Sequence, residues 1–147
     1  QPTNLYGEGD NFDLKSSHVI PALIRKFHIA KIKSKDSVEV WGSGNVKREF
    51  LNVDDLASAV EFVLKKKIIK PYVNVGSKDY LRINELARLV KEVTGFKGDI
   101  IYNKKYPDGV KKRKLDTTIL DKMGWNAKIK IKDGLIKYYN YFINNHV

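Results

Sequence analysis

At 147 residues, 42% hydrophobic and 11% aromatic, the chain can bury a core as one domain or part of one, and its composition excludes general disorder. With no cysteine it has no disulfide framework or thiolate metal site, and its three histidines lack metal-binding spacing, so no metal is expected. The formal charge of +11 favours phosphorylated or polyanionic ligands, but the basic residues are dispersed among seventeen acids. No apolar run approaches the roughly eighteen residues of a membrane span. Nothing resembles a signal peptide either, so a cytoplasmic protein without membrane partners is the expectation.

Residues 1–16 carry Gly7, Gly9 and no sustained period, and read as a loop. Ser17 is placed to cap a helix whose apolar residues Val19, Ile20, Leu23, Ile24, Phe27 and Ala30 recur at three and four. Pro21 falls in its first turn, where proline is tolerated. Arg25, Lys26, His28, Lys31 and Lys33 fall on its remaining faces, where solvent is the default. Short strands are expected at 38–40 and 50–53. A second helix over 54–66, capped by Asp54 or Asp55, is expected to bury Leu56, Val60, Val63 and Leu64, with Lys65, Lys66 and Lys67 at its negative end.

Residues 72–76 then read as a strand, and 80–82 as the start of another pairing. Asn84 is placed to cap a third helix with Leu86, Leu89, Val90 and Val93 on one face and a stop at Gly95. A strand at 99–102, a basic loop over 104–114 broken by Pro107-Asp108-Gly109, and a short helix over 117–123 follow. The closing helix, 133–144, aligns Leu135, Ile136, Tyr139 and Phe142. Short strands alternating with helices imply α/β or α+β layering.

The densest chemistry lies in Trp41-Gly42-Ser43-Gly44-Asn45-Val46-Lys47-Arg48-Glu49-Phe50. A glycine turn joins two apolar-alternating pieces and presents an indole and a guanidinium on its opposite sides. An aromatic face can stack on a nucleobase, and a guanidinium can meet phosphate oxygens two at a time. The plainer alternative is that Trp41 fills a core while Arg48 pairs with Glu49 or an aspartate. Two motifs are missing. Gly42-Ser43-Gly44 is followed at the third position by Lys47, so no dinucleotide-binding GxGxxG exists, and none of the eight tyrosines is followed four residues later by lysine.

The 41–57 stretch ends in Val53-Asp54-Asp55-Leu56-Ala57. Together with Pro2-Thr3-Asn4-Leu5-Tyr6-Gly7, Asp10-Asn11-Phe12, the run from Ser17 to Arg25 and Pro107-Asp108-Gly109, it resembles the extended short-chain dehydrogenase/reductases. The likeness is to their GDP-sugar 3,5-epimerase-4-reductases, and the motifs follow in order through nearly the whole chain. The resemblance implies an α/β fold in which residues 1–147 are the C-terminal, substrate-binding domain of a longer enzyme, the dinucleotide-binding Rossmann half lying upstream. Residues 54–76 would pack on that upstream nucleotide-binding sheet. It implies an NADP-dependent parent that epimerises and then reduces a GDP-4-keto-6-deoxy sugar, with NADP (NADPH) held mostly by the upstream half, which would also make a homodimer. The tyrosine and lysine of hydride transfer would lie upstream, so this chain alone is expected to be inactive.

By the same resemblance, His18 would be an acid and base for epimerisation, alongside an upstream cysteine, and would also border the cofactor. Pro2, Thr3, Asn4 and Leu5 would meet the nicotinamide end of NADP. Val19, Leu23, Lys26, Trp41, Arg48, Asp108, Lys112 and Arg113 would contact the GDP-sugar, Arg48 at the diphosphate and Asp108 at guanine or ribose. The chain departs from the pattern at Lys26, where the family has arginine, at Lys112-Arg113, where the pair is exchanged, and at Glu8-Gly9. Read from the residues alone, His18 is an exposed or capping histidine and Asp108 an ordinary turn aspartate. The alternatives are another nucleotide-sugar epimerase, reductase or dehydratase of the superfamily, a GDP-heptose enzyme included. From a different class, a basic nucleic-acid-binding module is suggested by the charge and by Lys111 to Lys114.

Overall fold

The computed structural model describes residues 1–68, 70–110 and 114–147. Along them run β1 (Asn4–Tyr6), α1 (Val19–Ile32), β2 (Ser37–Trp41), β3 (Lys47–Asn52), α2 (Val53–Lys65), β4 (Tyr80–Arg82), α3 (Ile83–Thr94), β5 (Asp99–Asn103), α4 (Thr118–Lys122) and α5 (Ile131–His146). This is the α/β alternation that the periodicities predict. The strands form two small sheets. In one, β3 is central, parallel to β1 (Leu5 opposite Leu51) and antiparallel to β4 (Glu49 opposite Tyr80). In the other, β2 and β5 run parallel from Ser37 opposite Asp99 to Trp41 opposite Asn103. The strands flanking the Gly42-to-Asn45 turn therefore diverge into different sheets, and the turn carries the chain from one sheet to the other. Gly42 and Gly44 allow this with φ of 83° and 77°, a region other residues enter only under strain.

Three helices close the main core. Phe27 of α1, Leu86 of α3 and Leu135 of α5 are each fully buried, and burial of such a side chain contributes about 1.5–3 kcal/mol. An aromatic layer seals one end, with Phe12 4.7 Å from Phe142 and 5.1 Å from Tyr138, ring centre to ring centre. A second, smaller cluster gathers Leu51, Ala59, Val75, Leu120 and Trp125. Asp55 binds the two clusters into one structure. Its carboxylate accepts from the backbone amides of Lys128 and Ile129, and Asp79 accepts from that of Ile131, so two acids hold the segment that enters α5.

Several local expectations change. Residues 4–6, expected within a loop, form β1, because β3 offers them a partner 46 residues away. Residues 72–76 make no strand; Val75 alone bridges to Pro2. Helix caps shift by a residue or two. His18, not Ser17, stands at the N-cap of α1. Asn52, not Asp54 or Asp55, caps α2, its side chain accepting from the Asp54 amide. Arg82, not Asn84, precedes α3, and its amide donates to Glu85. Gly95 does end α3 with φ 73°.

Burial also departs from pattern. His28, assigned to a solvated face, is buried and shares a 3.0 Å hydrogen bond with the Tyr139 hydroxyl. Ile136 is exposed, and Tyr138 takes its place in the core. On α2, Val60 and Leu64 are 51% and 70% exposed although both belong to its expected apolar face, because no element of the described residues covers them.

Candidate functional site

Two regions hold the residues singled out from the sequence. The first surrounds His18. Preceding the first turn of α1 in extended backbone (φ −70°, ψ 172°), its exposed ring makes no capping bond. It lines a cavity of about 460 Å³ with Thr3, Asn4, Leu5, Tyr6, Glu8, Gly9, Asp10 and Val53. β1 is the edge strand of its sheet, so half of its backbone polar groups point away from β3. The Thr3 hydroxyl and the Asn4 amide both donate to the Glu49 carbonyl, at 3.0 and 2.9 Å, so these side chains hold the strand in place. That leaves backbone and ring edges for a ligand. Tyr6 is buried, which pushes its phenol far above the usual range and keeps it protonated.

The second region is the turn after β2. Trp41 is half exposed and lies flat against Tyr106, ring centres 4.3 Å apart and planes 14° apart. The Lys26 ammonium stands 4.6 Å from the Trp41 ring and donates to the Glu39 carbonyl at 3.2 Å. Burial lowers the Lys26 pKa, an effect that Glu39 partly opposes. Asp108 accepts from the Ser43 amide at 2.6 Å and its hydroxyl at 2.7 Å, bonds that hold its carboxyl below the usual range. One guanidinium nitrogen of Arg48 donates to the carbonyls of Lys47 (2.8 Å) and Val110 (2.7 Å). Arg48 thus pairs with neither Glu49 nor an aspartate, and Trp41 does not fill a core.

Loop 106–110 therefore meets Trp41 through Tyr106 and Arg48 through Val110, and is itself tied to the turn by its own Asp108. The cavity beside the indole, about 420 Å³, is lined by Leu14, Lys26, Ile29, Val38, Trp41 and Tyr106 among others, and by neither Arg48 nor Asp108. Val19 is half-buried at the start of α1 and borders a small cavity shared with His18. Leu23 lies in the core, 3% exposed, and offers a ligand almost no surface. Lys112 and Arg113 lie outside the described residues. Tyr106 and Ser43 were not anticipated; the polar residue inside the glycine turn and the aromatic directly before Pro107 were the available signals. Glu49 is buried with one oxygen accepting from the Lys78 amide, a structural acid within the motif. Among the described residues no group of histidines and acids is arranged to hold a metal, and no helix is long and apolar enough to cross a membrane.

Known proteins resemble the chain over nearly its full length. It is 49% identical to "Putative GDP-L-fucose synthase 2" of Arabidopsis thaliana over 99% of the chain and 44% of that protein. It is 40% identical to "GDP-L-fucose synthase" of Escherichia coli, over 98% of the chain and 48% of the relative. A solved structure of MlghC, a GDP-mannoheptose C4 reductase from Campylobacter jejuni with NADP bound, superposes with a TM-score of 0.82 at 31% identity, over 97% of the chain and 51% of that structure. The chain thus spans about half the length of the relatives it matches. The model of the NAD dependent epimerase/dehydratase family matches residues 1–76, from the edge strand beside His18 through the Trp41–Arg48 turn to the bridge at Val75. With more than half of its residues covered by that match, the chain belongs to the NAD dependent epimerase/dehydratase family.

Proposed function

We propose that the chain is the GDP-sugar-binding, C-terminal part of an NADP-dependent enzyme of the GDP-L-fucose synthase type, which epimerises and then reduces a GDP-4-keto-6-deoxy sugar. The observation that carries this reading is one loop, 106–110, that supplies a turn carboxylate and meets both an exposed indole and a guanidinium. That turn lies in a chain 40–49% identical to relatives described as GDP-L-fucose synthases. Trp41 supplies the stacking face for the base, Arg48 the diphosphate contact and Asp108 the acceptor for guanine N–H groups or ribose hydroxyls. Lys26, with its ammonium against the indole, contributes a single point charge where an arginine would grip two oxygens. Lys112 and Arg113, outside the described residues, are assigned to the same ligand by the resemblance alone. Val19 borders the sugar, and Leu23 supports it from the core.

At the sugar end, His18 moves protons at the carbons next to the ketone. Such protons are acidic enough for a positioned general base to remove. The cavity that His18 shares with Thr3, Asn4 and Leu5 suits the nicotinamide end of NADP, which supplies the hydride for reduction. Thr3 to Leu5 line this edge, Pro2 stands just outside it in its bridge to Val75, and the rest of the cofactor falls to an upstream half. Residues 54–76 pack against that half's nucleotide-binding sheet, a reading that the exposure of Val60 and Leu64 on α2 and of Tyr72 supports. A homodimer made through that half and a cytoplasmic location complete the reading.

Titration of the chain with GDP and ADP tests it. GDP-selective binding is expected, weakened at least tenfold by Arg48→Ala, since a charge-assisted contact contributes roughly 1.5–3 kcal/mol. Equal affinity for both nucleotides, or no effect of the substitution, would reject the site. A second reading keeps GDP and replaces the 6-deoxyhexose by a heptose, as the likeness to a GDP-mannoheptose reductase suggests. Competition between GDP-heptose and GDP-fucose for the same site separates the two. Binding to a mixed DNA oligomer alone, with a steep salt dependence, would favour a nucleic-acid module instead.

A further inference from the structure

The three GDP contacts assigned above to Trp41, Arg48 and Asp108 are already made within the chain. The Tyr106 phenol lies parallel to Trp41 at 4.3 Å, where a base would stack. The Val110 carbonyl accepts from Arg48 at 2.7 Å, as a phosphate oxygen would. The Ser43 amide and hydroxyl donate to the two oxygens of Asp108, in the way a pair of adjacent N–H groups on a purine edge would. These surrogates are an aromatic ring, an accepting carbonyl oxygen and a paired donor, and two of the three come from one segment, 106–110. The third fastens that segment through Asp108 to the turn. Gly109 fits the same closure: its φ is 63°, and a Cβ there would stand 3.6 Å from the second guanidinium nitrogen of Arg48.

We propose that loop 106–110 is a self-ligand of the nucleotide site, with Tyr106 as a positioning residue that holds it closed, so that GDP binds by exchanging these internal contacts for its own. The inference rests on the GDP reading above. Its energetic logic is that of a two-state loop: a ligand that needs the open form binds with an affinity reduced by the fraction of chains already open. Each internal contact lowers that fraction. Tyr106 makes no contact that GDP needs, whereas Trp41, Arg48 and Asp108 do, so removing the phenol opens the site without dismantling it.

Calorimetric titration of GDP into the full chain, into Tyr106→Ala and into Ser43→Ala tests this, with Arg48→Ala as the control for the site itself. Loss of the stack is expected to tighten GDP binding roughly 2- to 12-fold. Ser43→Ala, which frees one oxygen of Asp108, is expected to act in the same direction and decides the matter should Tyr106→Ala fold poorly. An independent readout is hydrogen exchange at the Ser43 amide, protected by Asp108 in the free chain and expected to exchange faster at saturating GDP. Unchanged or weaker GDP affinity in the folded variants, or Ser43 protection that persists at saturation, overturns the self-ligand while leaving Arg48-dependent, GDP-selective binding intact. Binding that is neither GDP-selective nor Arg48-dependent removes the underlying reading and this inference together.

Discussion

Asp55 is buried, and each of its carboxylate oxygens accepts one backbone amide, from Lys128 and Ile129 at 3.0 Å. Asp55→Ala leaves both amides without their partner and is expected to cost about 2–4 kcal/mol, while Asp55→Asn, which keeps one accepting oxygen, costs roughly half as much. Urea denaturation of the two variants measures both values. His28 provides the titration counterpart. Burial, and secondarily Lys31, holds its pKa below the ordinary 6.5, so the folded chain resists a proton that the unfolded chain accepts. Its full stability is present above about pH 6.5 and declines as pH falls through that value towards the folded pKa. The urea midpoint should therefore drop between pH 7.5 and 5.5 in the wild type and drop less in His28→Gln. Neither residue's role was legible locally: an aspartate at a helix start reads as its cap, and a histidine among lysines reads as surface.

At the scale of elements, α5 approaches β1 so closely that Gly134 lies against the buried Tyr6 hydroxyl, where a Cβ would overlap the phenol. Helix propensity favours Gly134→Ala by about 1 kcal/mol, but overpacking a full core costs about 1–3 kcal/mol. Net destabilisation is expected, with partial recovery in Gly134→Ala combined with Tyr6→Phe, as read from thermal midpoints. Helix positions were readable because α1, α3 and α5 carry long apolar periods. β1 was not, since three residues among glycines hold no period of their own and become a strand only when β3 pairs with them. The two sheets were equally invisible: alternation marks strands at 38–40 and 50–53 without naming their partners, and misses the start of the second, which runs from Lys47.

For the molecule as a whole, the exposed Val60 and Leu64, four residues apart on α2, give that helix an apolar stripe that nothing among the described residues covers. Val60→Lys with Leu64→Lys should reduce binding of a hydrophobic dye and raise solubility, while shifting stability by no more than about 0.5 kcal/mol per site. A large loss of stability would show instead that this face is packed in the isolated chain. Of the site, the residue types and their order were legible: a flat aromatic, a guanidinium and a turn carboxylate around a glycine turn. Their mutual engagement was not, because Tyr106 and Val110 reach Trp41 and Arg48 across some sixty residues of chain.

Sequence by itself determined the helices, the glycine stops and the family motifs, since each depends on periodicity or on backbone freedom at single positions. Tertiary structure alone decided which strands pair, which polar residues are buried and whether the binding groups stand free or hold one another. Those outcomes depend on desolvation and on contacts between distant segments, quantities that no local window of residues contains.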